Sequence, residues 1–269
     1  MKNITIIIPI HKYEEELLER ALKSVPAENE EYEIMFVGPL DLCYKAEKLA
    51  HKLKIATGIV NVENKGETDF VSQINKAVYA CTDQYFTILE YDDKFTDNYF
   101  NVMQRYIAEH PEYSIILPIN EYYEKGENGE LKMVSFGNEI ALDMSFVDEM
   151  GVINSDELDK YMDFNCTGGL FKTEDFISLG CLKKSLKIAA WYEFLLRAAY
   201  KEKLIHVIPK IGYQHTIGRD GSYMVETQKT ITPEEGKFLV KLAKQEYFFK
   251  EDRNKTFEEE KNKKVEEVK

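Results

Sequence analysis

The stretch "ILEYDDKF" at residues 88–95 closes an apolar run with three carboxylates, Glu90, Asp92 and Asp93. If the run is a strand, alternate residues share a face, so Glu90 and Asp92 point together while Tyr91 packs the other way. Two carboxylates about 4 to 5 Å apart repel by roughly 1 kcal/mol in water and roughly 3 to 4 kcal/mol at a partly buried edge. A cation is needed to offset that repulsion. Arg or Lys could supply it, but a hard divalent ion suits clustered oxygen ligands better. Magnesium or manganese commonly takes one or two carboxylates together with substrate phosphates. The plainer alternative is an exposed acidic turn in which Asp93 and Asp97 cap the following helix.

The elements that must position this cluster are legible on its N-terminal side. "ITIIIPI" (4–10) is β-branched and apolar on both faces, the pattern of a central strand covered by helices on two sides. "EEELLERALKSV" then sets Leu17, Leu18, Ala21, Leu22 and Val25 on one helical stripe. A strand "YEIMFV", a helix "DLCYKAEKLAHKL", a short strand "GIVNV", a helix "DFVSQINKAVYA" and a strand "YFTILE" follow. Repeated β-then-α units imply an α/β fold with a mostly parallel, doubly wound sheet flanked by helices. Such sheets bind ligands outside the carboxyl ends of their strands, which is where the three carboxylates fall.

Beyond a helix at 97–109 and a strand "YSIILPI", the segment "EYYEKGENGELKMVSF" reads as a hairpin turning at Asn128-Gly129, and 138–165 is polar and irregular. "CTGGLFKTEDFISLG" predicts a strand, a helix opened by Thr173 and a stop at Gly180. "LKIAAWYEFLLRAAYKEK" reads as one strong helix, followed by a strand "LIHVIP" and a glycine-bearing loop "GYQHTIGRDGS". From about residue 233 the pattern is helical, and from Lys250 it is nearly all charge. That tail is expected to be solvated, with oligomerisation or partner binding as the alternative role.

Composition bounds the function. A chain of 269 residues that is 44% hydrophobic and 12% aromatic should be packed and globular. Lys+Arg 35 against Asp+Glu 48 gives a net charge of −13, which argues against sequence-independent nucleic-acid binding and against an anionic membrane surface. An anionic ligand would need a local positive site. Cys43, Cys81, Cys166 and Cys181 form no C-x-x-C pair, so reduced thiols and a cytoplasmic location are expected. The apolar run at 4–10 is too short for a signal-peptide core or a transmembrane segment.

Taken in order, "ITIIIPIHKYEEELLERALKSV", "ENKGETDFVSQINKAV", "YFTILEYDDKFTDNYF", "GGLFKTEDFISLGCLKKSLKIAAWYEFLLRAA" and "YQHTIGRDGS" resemble family 2 glycosyltransferases of the GT-A fold. The likeness runs over roughly residues 3–222. It implies a GT-A domain at 1–222, with a nucleotide-sugar-binding half at 1–118, an acceptor-side half at 119–222, and a charged helical extension at 223–269. It also implies a nucleotide-sugar donor, usually a UDP-sugar, a divalent metal (Mn2+ or Mg2+) held by an Asp-x-Asp-type motif, and inversion at the sugar carbon. The acceptor, whether glycan, lipid or protein, is named by no motif.

The resemblance carries over residue by residue. Glu90, Tyr91 and Asp92 occupy the metal motif, with Glu in place of the first Asp and Asp93 beside it. His215 matches a late-loop His that reaches metal or diphosphate, with Arg219 and Ser222 nearby. Pro9, Ile10 and His11 begin the nucleotide pocket, Lys65 and Gly66 fall in the loop facing base and ribose, and Asn75 matches a recurrent helix Asn. Gly168 and Gly169 match the acceptor-side strand, where a missing side chain permits close approach. Each has a plainer alternative: Lys65 a surface charge, Asn75 a helix-to-loop hydrogen bond, His215 a loop residue touching water, the glycine pair a bulge.

Two departures bear on chemistry. The family usually ends its second strand with Asp contacting the uracil, whereas Val37, Gly38 and Pro39 stand here, with no acid before Asp41. An inverting transfer needs a carboxylate to take the acceptor proton, and the family supplies it from a Glu-Asp pair at positions held here by Ala190 and Trp191. Glu193 is the nearest acid, but two residues of helix turn it about 200° from Trp191, and its spacing to Arg197 suits an ordinary i, i+4 ion pair. Trp191 lies on an apolar stripe, open to core packing or to stacking on an acceptor sugar. Asp163 could replace the base if its loop folds over the site. The alternative to an active enzyme is a GT-A domain that binds a nucleotide-sugar without turnover, or that serves in assembly.

Overall fold

The computed structural model describes residues 4–26, 32–62, 70–126, 128, 130–245 and 247. The first half is built as the periodicity predicts. Strand β1 (Ile4–Pro9) is buried along its whole length, and helix α1 (Glu15–Lys23) turns Leu18, Ala21 and Leu22 inward. Then come β2 (Tyr32–Gly38), α2 (Leu40–Lys52), β3 (Thr57–Asn61), α3 (Phe70–Ala80) and β4 (Tyr85–Ile88). These strands pair in parallel in the order β3-β2-β1-β4, with Ile6 opposite both Ile34 and Thr87. Alternation along β1 feeds two separate cores, Ile7 into one and Ile4, Ile6 and Ile8 into the other.

The second half completes the sheet by other means. Its elements are β5 (Lys94–Phe95), α4 (Tyr99–Glu109), β6 (Ile115–Lys125), β7 (Leu131–Gly137), β8 (Val152–Ile153), α5 (Ser155–Lys160), β9 (Leu170–Lys172), α6 (Thr173–Ser178), α7 (Ala190–Tyr200), β10 (Ile205–Thr216), α8 (Tyr223–Thr230) and α9 (Pro233–Gln245). Strand β9 inserts antiparallel between β4 and β6. β10 runs parallel to β6 and carries β5 antiparallel on its other edge. β6 and β7 form the expected hairpin.

Three expectations need correcting. The strand "LIHVIP" does not give way to a loop at Gly212: β10 continues to Thr216, so His215 stands on a strand. Its ladder shifts register between Val207 and Ile211 and again before Tyr213, which accommodates Pro209 and Gly212 as bulges. The long helix begins only at Ala190: the preceding Lys184–Ala189 is a 3-10 segment kinked at Lys187, whose φ of +46 a continuous helix does not allow. Part of the expected C-terminal extension is packed and not solvated, since Leu239, Ala243 and Tyr247 join the core that also holds Leu195 and Leu196 of α7. The charged tail from Lys250 lies outside the described residues.

Candidate metal and substrate site

Strand β4 ends at Ile88, two residues before Glu90. The chain then turns, the Asp93 amide donating to the Glu90 carbonyl at 3.0 Å. A turn, unlike a strand, brings residues three apart to the same side, so Glu90 converges with Asp93 and not with Asp92 as strand alternation would have it. His215 reaches the pair from the end of β10, and ligand atoms of Glu90, Asp93 and His215 all lie within 4.8 Å of one another.

Each member is held from behind. Asp93 is fully buried. One of its oxygens accepts the Thr216 amide at 2.7 Å, and the other meets His215 Nδ1 at 2.6 Å. The Glu90 amide donates to the Tyr213 hydroxyl at 3.0 Å. The Tyr213 ring rests on Gly168, where a Cβ would fall 2.5 Å from it and where φ is +70°. The Tyr99 hydroxyl donates to the Gly168 carbonyl at 2.8 Å and fixes that backbone.

Asp92 has a different partner. Its Oδ2 accepts from Arg219 Nε at 2.8 Å, while the same guanidinium donates to the Tyr91 hydroxyl at 2.6 Å and to Glu14 at 3.0 Å. The Asp92 carbonyl accepts from Arg20 and from the Thr216 hydroxyl. Asp92 is therefore the counter-ion of Arg219 and outside the three-ligand group. Among the sequence-derived ligands, three converge and the fourth anchors the loop carrying Arg219.

The electrostatics follow from burial and like charge. Withdrawal from water, then the charge of Asp93, raises the Glu90 carboxyl to about 8. Burial opposes protonation of His215, but Asp93, followed by Glu90 and Asp92, overrides it and holds the imidazole at about 9. Asp92 is also raised, by burial and by Asp93, against the pull of Arg219. Two carboxylates and one imidazole are a donor set that a divalent ion of the manganese type fits, since the ion would replace the imidazole proton and supply the charge the acids lack.

A cavity of about 430 Å³ opens over this group, and its lining includes Glu90, Asp92, Asp163, Trp191, His215 and Ser222. Ala190 lines it too, so both positions where the family pattern places an acid pair face this space without an acid. Trp191 does two things at once: its ring stacks on Phe171 at 5.3 Å and 27°, and it borders the cavity.

Other sequence candidates lie elsewhere. Glu193 is 1% exposed and turned into a separate groove, held by Arg197 and Lys183, each at 2.8 Å, and by the Tyr247 hydroxyl. Asn75 spends its amide on both backbone groups of Leu182, at 2.8 and 3.0 Å, a helix-to-loop tie. Gly169 is packed against Leu117 and the Cys166 carbonyl. Pro9 and Ile10 are buried at the end of β1, with the Ile10 amide bonded to the Val37 carbonyl at 2.8 Å. A Cβ at Gly38 would lie 2.2 Å from the Ile10 carbonyl oxygen, which explains why no acid stands at that position. His11 faces the Gly221 carbonyl at 3.2 Å and the Tyr91 ring at 5.2 Å, and burial lowers its pKa. Lys65 and Gly66 lie outside the described residues. Sequence reasoning passed over Glu14, Arg20, Tyr213 and Thr216. Glu14 and Arg20 look like solvated helix charge, and only the neighbourhood of His215 could have pointed to the other two.

The sheet, with its acidic turn at the carboxyl end of β4, is that of a GT-A glycosyltransferase. Residues 5–153, more than half of the chain, match the model of Glycosyl transferase family 2, and the chain belongs to that family. Similar solved structures include S. aureus TarS 1-349 in complex with UDP-GlcNAc, at 17% identity and a TM-score of 0.62, over 90% of this chain and 65% of that one. A second is the mannosyltransferase PcManGT from Pyrobaculum calidifontis in complex with GDP-Man and Mn2+, at 15% identity and a TM-score of 0.61, over 84% of this chain and 60% of that one. The chain thus spans less than two thirds of the length of either structure. No curated protein matches it. Among the described residues no helix is long and apolar enough to cross a membrane.

Proposed function

We propose that this chain transfers a sugar from a nucleotide-sugar donor, in our reading a UDP-sugar, to an acceptor hydroxyl with inversion. The observation that carries the reading is the convergence of Glu90 and His215, both lining one cavity, with the buried Asp93 behind them. Those three would hold a divalent ion, which when bound supplies positive charge to the donor's diphosphate. Arg219, now paired with Asp92, stands close enough to the same floor to add a second charge. The four free cysteines, three of them buried, support a cytoplasmic location.

In the reaction the acceptor oxygen bonds to the anomeric carbon as the bond from that carbon to the diphosphate oxygen breaks. The nucleoside diphosphate leaves, and the acceptor proton needs a base. Of the three acids lining the cavity, Asp92 is engaged by Arg219 and Glu90 belongs to the metal group, which leaves Asp163. Asp163 is exposed to the cavity from the segment after α5, and we assign it the proton. Glu193, the nearest acid in sequence, is withdrawn by its ion pairs. Calorimetry with UDP and GDP, with and without Mn2+, tests donor binding, and turnover of a UDP-sugar tests transfer. Asp163→Asn should cut transfer by about 10²-fold or more, the usual loss for a general base, and leave UDP affinity unchanged. Ala190 and Trp191 at the cavity wall favour one second reading, a domain that binds the donor and does not turn it over; full activity in Asp163→Asn would show the assigned base to be wrong.

A further inference from the structure

The cavity changes character away from its acidic floor. Met162 and Met224 both line it while remaining 44% and 47% exposed, and Trp191, Ile188 and Ile217 line it with them. Two unburied methionines on separate segments, bordering one space, form a soft apolar surface that can mould to an alkyl group. Several neutral polar side chains of the same wall are already engaged. Asn165 Oδ1 accepts from the amide and the hydroxyl of Thr167, at 2.9 and 2.6 Å, and the Ser222 hydroxyl caps α8. Among the described residues, Lys187 is the one lysine or arginine lining the cavity, and it is paired with Glu235 at 2.6 Å. An acceptor bearing phosphate or carboxylate on this side of the cavity would therefore meet Asp163, with Lys187 already paired to Glu235 and the metal group given over to the donor's diphosphate, in a chain of net charge −13.

We infer that the acceptor is an uncharged amphiphile, with an alkyl chain beside its reacting hydroxyl and the chain seated against Met162, Met224 and Trp191. This rests on the glycosyltransferase reading above, and the two can fail separately. Trp191 is the only tryptophan in the chain, so its fluorescence reports the cavity directly. The probes are hexyl, heptyl and octyl β-glucoside below their micellar concentrations, with glucose and glucose 6-phosphate as the uncharged and charged comparisons. A saturable blue shift is expected with the alkyl glucosides, tightening about fourfold per added methylene, and no shift with the other two. The Met162→Ser, Met224→Ser double variant changes only exposed positions and should weaken octyl glucoside at least tenfold while UDP–Mn2+ calorimetry stays as in the parent. Affinity independent of chain length, a response to glucose 6-phosphate as strong as to octyl glucoside, or an unaltered double variant would overturn the inference. Loss of UDP binding in the parent with an intact alkyl response would overturn the transferase reading and uphold apolar recognition.

Discussion

Glu193 and Glu90 are both acids withdrawn from water at the border of a groove, yet their surroundings are opposite. Glu193 has two cations to itself, Arg197 through a bidentate pair at 2.8 and 3.1 Å and Lys183 at 2.8 Å, and takes a further bond from Tyr247. Glu90 shares one imidazole with Asp93, because the nearby Arg219 is committed to Asp92 and Glu14. A cluster that closes its own charge is architecture; a cluster left in deficit is waiting for something from solution. The distinction lies in the balance of partners more than in burial, with Glu193 buried and Glu90 half-buried.

The two clusters should respond with opposite signs. Glu193→Ala strands Arg197 and Lys183 without their acid, and chemical denaturation should show a loss of about 3–5 kcal/mol with the metal response intact. The second test is pH. His215 at about 9 and Glu90 at about 8 both lie above their ordinary values, so the metal-free fold binds more protons than the unfolded chain. The imidazole's contribution is complete below about 6.5 and is lost as pH rises through about 9, and the Glu90 contribution falls over about 4.5 to 8. Metal-free melting temperature should therefore drop between pH 6.5 and 9. Mn2+ affinity should rise by about tenfold per pH unit over the same window, as the ion displaces at least one proton. Calorimetry in buffers of different ionisation heat would count that proton. The smallest effect is Glu90→Gln: above about pH 8, where Glu90 is ionised beside Asp93, the variant relieves repulsion and stability without metal should rise by about 1 kcal/mol, while Mn2+ binding is lost. A destabilised Glu90→Gln would mean that this cluster, too, is closed.

The parallel half of the sheet was legible because its strands are continuous β-branched runs and its helices carry single apolar stripes, as in "ITIIIPI" and "EEELLERALKSV". In the other half the β6–β7 hairpin and α4 were legible, but the course of β10 was not, because it holds Pro209 and Gly212, which read as breakers and are absorbed by bulges that no local pattern announces. All three carboxylates of the acidic motif were candidates, but strand alternation set Glu90 beside Asp92, whereas β4 ends at Ile88 and the turn that follows sets Glu90 beside Asp93. Arg219 was picked out as a neighbour of His215, and only the folded chain shows that it answers to Asp92, 127 positions earlier. Glu193 was correctly suspected of pairing with Arg197, since i, i+4 spacing is local information.

Gly168 lines neither the cavity nor the group of Glu90, Asp93 and His215, yet one ring joins it to the acidic turn. Tyr213 lies on it and receives the Glu90 amide through its hydroxyl, so the separation between the acceptor-side strand and the acidic turn is set by the thickness of a phenol. A methyl group added at residue 168 would act as a shim, displacing Glu90 from Asp93 and His215 without altering any ligand. The precision of the site is thus inherited from a position that carries no side chain at all.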